Sequence, residues 1–183
     1  MERIQAKIYE NNPDLFTYPQ MKNHLDLYKK YVRNVNDYFD DSDNPNINYD
    51  ANAVMLHELF FENIKSYANT SDKSNLLFKN MMGFNFYMFE DWKRDFIKTA
   101  IKSRGWVIFG FDPILGIYRN VSMESHDKGF TIGLESALVL DCYEHSYFMN
   151  YGSDKAGYIG AFINNINWDI VMDRMNSITL ATS

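Results

Sequence analysis

Ala137-Leu138-Val139-Leu140-Asp141-Cys142-Tyr143 is an apolar run broken by a single carboxylate, and His145 follows that carboxylate by four. A short continuous run of this kind reads as a strand buried on both faces. A buried strand that ends in Asp sets a problem, because a buried carboxylate needs a partner. A cation is one partner and a backbone cap is the ordinary alternative. Upstream, residues 105–111 (Gly-Trp-Val-Ile-Phe-Gly-Phe) read as another strand. Asp112-Pro113 with Gly116 makes a turn, and residues 116–123 supply a returning strand. Residues 89–100 read as a helix, and residues 155–165 and 168–175 as closing helices.

The first half differs in character. Residues 1–15 are polar and end in the turn signal Asn11-Asn12-Pro13-Asp14. Met21, Leu25, Tyr28, Val32 and Val35 recur at helical spacing, so residues 18–39 form a helix. An acidic, Pro-containing loop follows over 40–48. A second helix over 50–67 is apolar around more than half its circumference, through Ala53, Val54, Leu56, Leu59, Phe60, Phe61 and Ile64, and is expected to be deeply buried. Two long helices with a short connection form an antiparallel hairpin. Residues 68–74 are the clearest boundary. The expected fold is therefore α+β: a helical hairpin domain over 1–74, then an α/β domain over 75–183 with a small three-stranded antiparallel sheet.

Composition narrows the function. The chain has 183 residues, one Cys, four His, and 24 Asp+Glu against 18 Lys+Arg, a net charge of −6. One Cys excludes a disulfide framework or a Cys-based metal cluster within a single chain. Net acidity argues against nucleic acid as a partner, which needs a basic footprint. There is no GxGxxG, Walker loop, CxxC or HExxH, and no repeat at solenoid periods. The opening residues lack an apolar core of signal-peptide length, and no run of about 18 apolar residues exists, so a cytoplasmic location and no membrane association are expected.

Four histidines can each be weighed. His24 precedes Tyr31 by seven, so imidazole and phenol share a helix face. His57 sits between Leu56 and Leu59 on the apolar helix. His126 lies near the end of the strand hairpin. Singly, each is more often a hydrogen-bonded core residue than a ligand, and Asp-x-x-x-His is common by chance. Three neutral imidazoles with one carboxylate would suit Fe, Mn or Zn.

The segment Leu140-Asp141-Cys142-Tyr143-Glu144-His145-Ser146-Tyr147, continuing through Asn150-Tyr151 to Asn164-Asn165-Ile166-Asn167-Trp168, resembles the C-terminal signature of iron/manganese superoxide dismutases. That signature is Asp-x-Trp-Glu-His-x-Tyr, then a helix ending in Asn-Trp. His24…Tyr31-Val32…Asn36, Leu56-His57-Glu58-Leu59-Phe60-Phe61 and Arg104-Gly105-Trp106 follow in the family's order, so the resemblance spans residues 18–176.

The resemblance implies one Fe or Mn ion per subunit, with His24, His57, Asp141 and His145 as ligands. It makes Tyr31 the pocket tyrosine and His126 the residue behind the metal-bound solvent. Trp106 and Tyr143 become pocket walls, and Glu144 and Tyr147 lie at a dimer interface. The implied activity is dismutation of superoxide by a homodimer or homotetramer. The alternative is an inactive binding or structural protein on the same fold. Departures from the family pattern motivate that alternative. Asn23 stands where the first ligand usually lies, one before His24. Leu27 and Phe148 replace both ends of the usual gateway His–Tyr pair, which leaves no orphan polar group. Tyr143 replaces the motif's Trp. A net charge of −6 repels superoxide, so Lys29, Lys30 and Lys155 are candidates for a local positive field. Cys142 reads as a small core residue.

Overall fold

The structure is a computed structural model that describes residues 3–40, 45–64 and 88–182. The boundary expected at 68–74 lies outside the described residues, as do the last residues expected for the second helix. The element order is α1 (Tyr18–Tyr38), α2 (Ile47–Glu62), α3 (Phe89–Lys102), β1 (Trp106–Asp112), β2 (Ile117–Met123), β3 (Glu135–Asp141), α4 (Glu144–Tyr151), α5 (Lys155–Asn164) and α6 (Trp168–Thr182). The strands form one antiparallel sheet in the order β2-β1-β3. The fold is α+β, with α1 and α2 packed together and a helix-covered three-stranded sheet behind them.

The elements follow from where apolar groups fall. α1 has Pro in its first turn and buries Met21, His24, Tyr28, Val32 and Val35 along one stripe. α2 buries Ala53, Val54, Leu56, His57, Phe60 and Phe61, a wider arc that matches its apolar circumference. β1 is the central strand and is buried along nearly its whole length. Its first residue, Trp106, pairs with Asp141 on one side and Met123 on the other. Register therefore places the indole beside the carboxylate that ends β3. A bulge falls at Phe109/Gly110, where a Cβ on Gly110 would meet the Glu135 carbonyl oxygen at 2.5 Å.

The outer edge of β3 is covered by α2. Asn63, just past the end of α2, is fully buried, and its Oδ1 accepts from the Val139 backbone N–H at 2.9 Å. Its own carbonyl accepts from the Asn167 N–H at 2.8 Å. One residue thus ends the helix, satisfies a strand edge and anchors the start of α6. This is why α2 stops at Glu62 although its apolar pattern continues.

Two further differences have physical reasons. Residues 12–16 are not merely a polar leader: Asn12, Leu15 and Phe16 are buried, and the Phe16 ring stacks on Tyr158 at 6.2 Å. The segment before them is fastened across α1, where Ile4 N–H donates to Asn36 Oδ1 and Lys7 N–H to the Tyr28 hydroxyl. The eight-residue α4 has no helical periodicity in the sequence because it buries only Ser146 and Tyr147 and leaves Phe148 and Met149 in solvent. Asn63→Ala is expected to leave the Val139 N–H unpaired and to lower unfolding free energy by about 2 kcal/mol. Urea denaturation measures this.

Candidate metal centre

Four side chains from α1, α2, β3 and α4 converge. His24, His57, Asp141 and His145 each offer one donor atom, and these atoms lie within 4.8 Å of one another. Asp141 Oδ2 is the centre: His24 Nε2 is 3.1 Å away, His145 Nε2 3.2 Å and His57 Nε2 3.9 Å. Asn23, the neighbouring candidate on α1, is exposed and turns its amide to Met149 Sδ at 3.0 Å. Of the two, His24 is the side chain that faces the other three donors.

Asp141, His57 and His145 are held by groups away from the cluster, whereas His24 Nδ1 is buried without a hydrogen-bond partner. The Asp141 carboxylate accepts the Tyr143 N–H on Oδ1 at 2.8 Å, and its backbone carbonyl accepts the Tyr158 hydroxyl at 2.8 Å. Ser146 Oγ donates to the Tyr143 carbonyl at 2.6 Å across the start of α4. Gln20 is fully buried; its amide donates to the His145 carbonyl at 2.7 Å and its Oε1 accepts the Met149 N–H at 3.1 Å. α1 therefore grips the backbone of the helix that carries His145. Gln20 and Tyr158 escaped the sequence reading. The available signal was a polar Gln four residues before His24, on the same helix face.

A backbone hydrogen bond fixes the tautomer of His57. His57 Nδ1 faces the Ala53 carbonyl at 2.6 Å, which can only accept, so Nδ1 carries the proton. The lone pair of Nε2 then points into the cluster, where this atom is buried without a hydrogen-bond partner. His24 and His145 also turn Nε2 to the same oxygen. An orphaned buried acceptor beside a buried carboxylate fits a cation, and the nitrogen/oxygen donor set is of the borderline kind that takes Fe, Mn or Zn.

Charge follows the same logic. Burial alone would raise the Asp141 pKa, but the His145 charge and hydrogen bonds from His145 and His24 hold it well below the carboxylate range. Burial, then repulsion from His24, pushes His57 down to about 3. Burial also lowers His24, against the pull of Asp141, and brings His126 down to about 4. His145 alone moves up, because Asp141 outweighs its burial.

Beside the cluster lies a second constellation. Trp106 Nε1–H donates to His126 Nδ1 at 2.7 Å. An indole only donates, so His126 carries its proton on Nε2, which faces the Tyr31 hydroxyl oxygen at 3.3 Å. The Trp106 ring lies 5.1 Å from His57, and Tyr143 stacks on His145 at 5.2 Å. Tyr31, His126, Trp106 and Tyr143 are thus all placed around the four donors. Leu27 is half-buried and Phe148 exposed, with no polar bond between them.

His24, His57 and Asp141 have no exposed side-chain surface, whereas His145 is 33 % exposed. It opens onto a cavity of about 890 Å³. Lys102, Arg104, Lys128 and Lys155 line this cavity against Glu124 and Glu144. Of the lysines singled out from sequence, Lys155 therefore shares this cavity with His145, its ammonium donating to the Ser103 carbonyl. Lys29 lines a separate cavity of about 220 Å³, and Lys30 is exposed on α1. Tyr147 also borders the larger cavity while its ring stacks on Tyr158 at 5.0 Å. Cys142 is buried, and burial pushes its thiol up to about 12.

Residues 74–174 match the profile of iron/manganese superoxide dismutases, C-terminal domain. The match covers more than half of the chain, which belongs to the iron/manganese superoxide dismutase family. Among curated proteins, a superoxide dismutase [Mn] of Haloarcula marismortui is 33 % identical over 124 residues, 68 % of this chain and 60 % of that protein. Superoxide dismutase [Mn] 1 of Halobacterium salinarum is 30 % identical over 70 % of this chain and 63 % of its own length. A superoxide dismutase [Fe] of Aquifex aeolicus is 32 % identical over 67 % of this chain and 56 % of its own length. The matched part of the chain spans about three-fifths of these relatives.

The lowered histidines give a signed pH dependence. The unfolded chain, with histidines near 6.5, binds more protons than the fold between that pH and about 4 for His126 or about 3 for His57. Stability therefore rises with pH across this window and is lost as pH falls through it. Three lowered imidazoles outnumber the raised His145. Chelator-treated protein should show a lower urea midpoint at pH 5 than at pH 7, and His126→Gln should flatten that difference.

Proposed function

We propose that this chain is a superoxide dismutase, catalysing 2 O₂•⁻ + 2 H⁺ → O₂ + H₂O₂ at one Fe or Mn ion per subunit. His24, His57, Asp141 and His145 would hold the ion. The observation that carries this reading is the convergence of three imidazole Nε2 atoms on one buried carboxylate oxygen, with His57 Nε2 otherwise unpartnered. Both metals appear in the names of the relatives, Mn in the haloarchaeal proteins and Fe in the Aquifex protein. When bound, the ion supplies one-electron exchange by alternating between two oxidation states.

The chain's own residues supply the rest. Asp141 gives the site a single negative charge, so a divalent ion leaves +1 rather than a larger buried charge. His57 is locked as a neutral donor by Ala53. His126 offers its Nε2–H to the Tyr31 oxygen, so the Tyr31 hydroxyl keeps its own proton to donate, to Tyr49 at rest or to a reduced oxygen species leaving the site. Burial holds that hydroxyl protonated until a stronger base arrives. Trp106 and Tyr143 wall the pocket. Lys155, joined by Lys102, Arg104 and Lys128, offers a cationic surface beside His145 in a protein of net charge −6.

The proposal extends to assembly and place. Glu144 is exposed at the rim of that cavity, and Tyr147 borders it. This surface is proposed to meet a second copy in a homodimer or homotetramer, with Glu144 reaching the partner subunit. The division into a hairpin domain over 1–74 and an α/β domain over 75–183 is part of the same reading. So is a cytoplasmic location; among the described residues no helix is long and apolar enough to cross a membrane.

Purified protein is expected to carry close to one Fe or Mn per chain and to remove superoxide. His145→Ala should lose most of both, and chelation should lower the melting temperature, since a ligand that binds only the fold stabilises it. A folded, metal-free protein that leaves superoxide untouched overturns the reading in favour of an inactive member of the family.

A further inference from the structure

Tyr49 was not singled out by its sequence position, one turn into α2 after an acidic loop. In the structure it sits over His126. The two ring centroids are 4.5 Å apart in an edge-to-face arrangement at 61°. The Tyr31 ring is 6.3 Å from Tyr49 and 5.3 Å from His126. The Tyr143 ring is 5.2 Å from His126. Three phenols from α1, α2 and the start of α4 thus surround one imidazole, which is 1 % exposed. The other side of that imidazole is closed by Trp106, 5.6 Å away.

The same turn of α2 holds His126 a second way. Asn52, three residues on and on the same helix face, donates its amide to the His126 carbonyl at 2.9 Å. Backbone and ring of His126 are therefore both fixed by the N-terminal turns of α2. Tyr49 is itself half-buried, with one side of its ring against His126. After burial, Tyr49 is the neighbour that most raises the pKa of both Tyr31 and Tyr143, which places it against both phenols.

We propose that Tyr49 is a positioning and specificity-determining residue: its ring caps His126 and closes the third side of a tyrosine-walled slot leading to the four-donor cluster. In this chain that slot takes the place of the gateway pair whose positions hold Leu27 and Phe148. The narrowing function rests on the superoxide dismutase reading, whereas the capping of His126 does not. The slot admits a diatomic or linear triatomic anion and rejects a planar one of benzoate size. The ring supplies the cap, so phenylalanine keeps it, while the Tyr49 hydroxyl, in hydrogen-bonding reach of Tyr31 and Tyr143, ties the three phenols together.

Two measurements test it. The first uses chelator-treated protein and needs no activity. The Trp106 indole N–H, bonded to His126 Nδ1, is shielded only while His126 is capped. In Tyr49→Ala its hydrogen exchange, followed by NMR, should quicken at least tenfold. Tyr49→Phe should leave it as in the unsubstituted protein, and the Trp92 and Trp168 indoles should stay slow in both. Unchanged Trp106 exchange in Tyr49→Ala overturns the cap. So does equal quickening of all three indoles, which would show general loosening. The second titrates metal-loaded protein with azide and with benzoate by visible absorption. The unsubstituted protein and Tyr49→Phe should bind azide alone, and Tyr49→Ala should bind both. Benzoate binding that is the same in all three overturns the slot. Failure of the unsubstituted protein to remove superoxide is a separate result: it removes the dismutase reading and leaves the indole exchange to decide the cap.

Discussion

One carboxylate organises this molecule. Asp141 has no exposed surface, yet surrounding imidazoles hold its pKa far below the usual range, so it enters the core as a charge. Leaving such a charge unpaired in a protein interior costs several kcal/mol. Everything around it answers that cost. Its Oδ1 takes a backbone N–H, its carbonyl takes the Tyr158 hydroxyl, and its Oδ2 collects imidazoles from three helices. The strand that carries it pairs with the central strand so that Trp106 sits directly opposite. Position, hydrogen bonding and charge all meet at one residue.

The parts of the fold that read clearly from sequence are those written in short-range periodicity. The α1 stripe, the broad apolar arc of α2, and the three strands with their Asp-Pro turn appear close to where alternation and helical spacing put them. What periodicity hides is what long-range contacts decide. The segment around Leu15 and Phe16 looks like a polar leader because its apolar residues are two in number, and only their docking on Tyr158 buries them. α4 escaped because a helix that buries two of eight residues has almost no amphipathic signal. The end of α2 was displaced because Asn63 answers to a strand far along the chain rather than to its own helix.

The site divides the same way. His24, His57, Asp141 and His145 were legible as chemistry-bearing residues because their types are rare in apolar settings, and a long C-terminal signature tied them together. The choice of His24 over Asn23 has a simple physical basis: one residue along a helix is a rotation of about 100°, and only one of the two can face inward. The residues that hold these side chains in place were harder to see. Gln20 and Tyr49 act through contacts made across elements, and neither carries a local motif. The cationic lining of the cavity at His145 comes from three separate segments, so no charge run in the sequence announced it.

The four donors stand at positions 24, 57, 141 and 145 of the chain. Made from the N-terminus at about 5–20 residues per second, the polypeptide releases two imidazoles on the order of ten seconds before the carboxylate that gathers them. Two histidines alone on a nascent helical hairpin make a weak and unselective trap. The four donors meet only when β3 and α4 dock against α1 and α2. Order of synthesis thus separates the donors in time, because both helical imidazoles exist before the carboxylate they turn to.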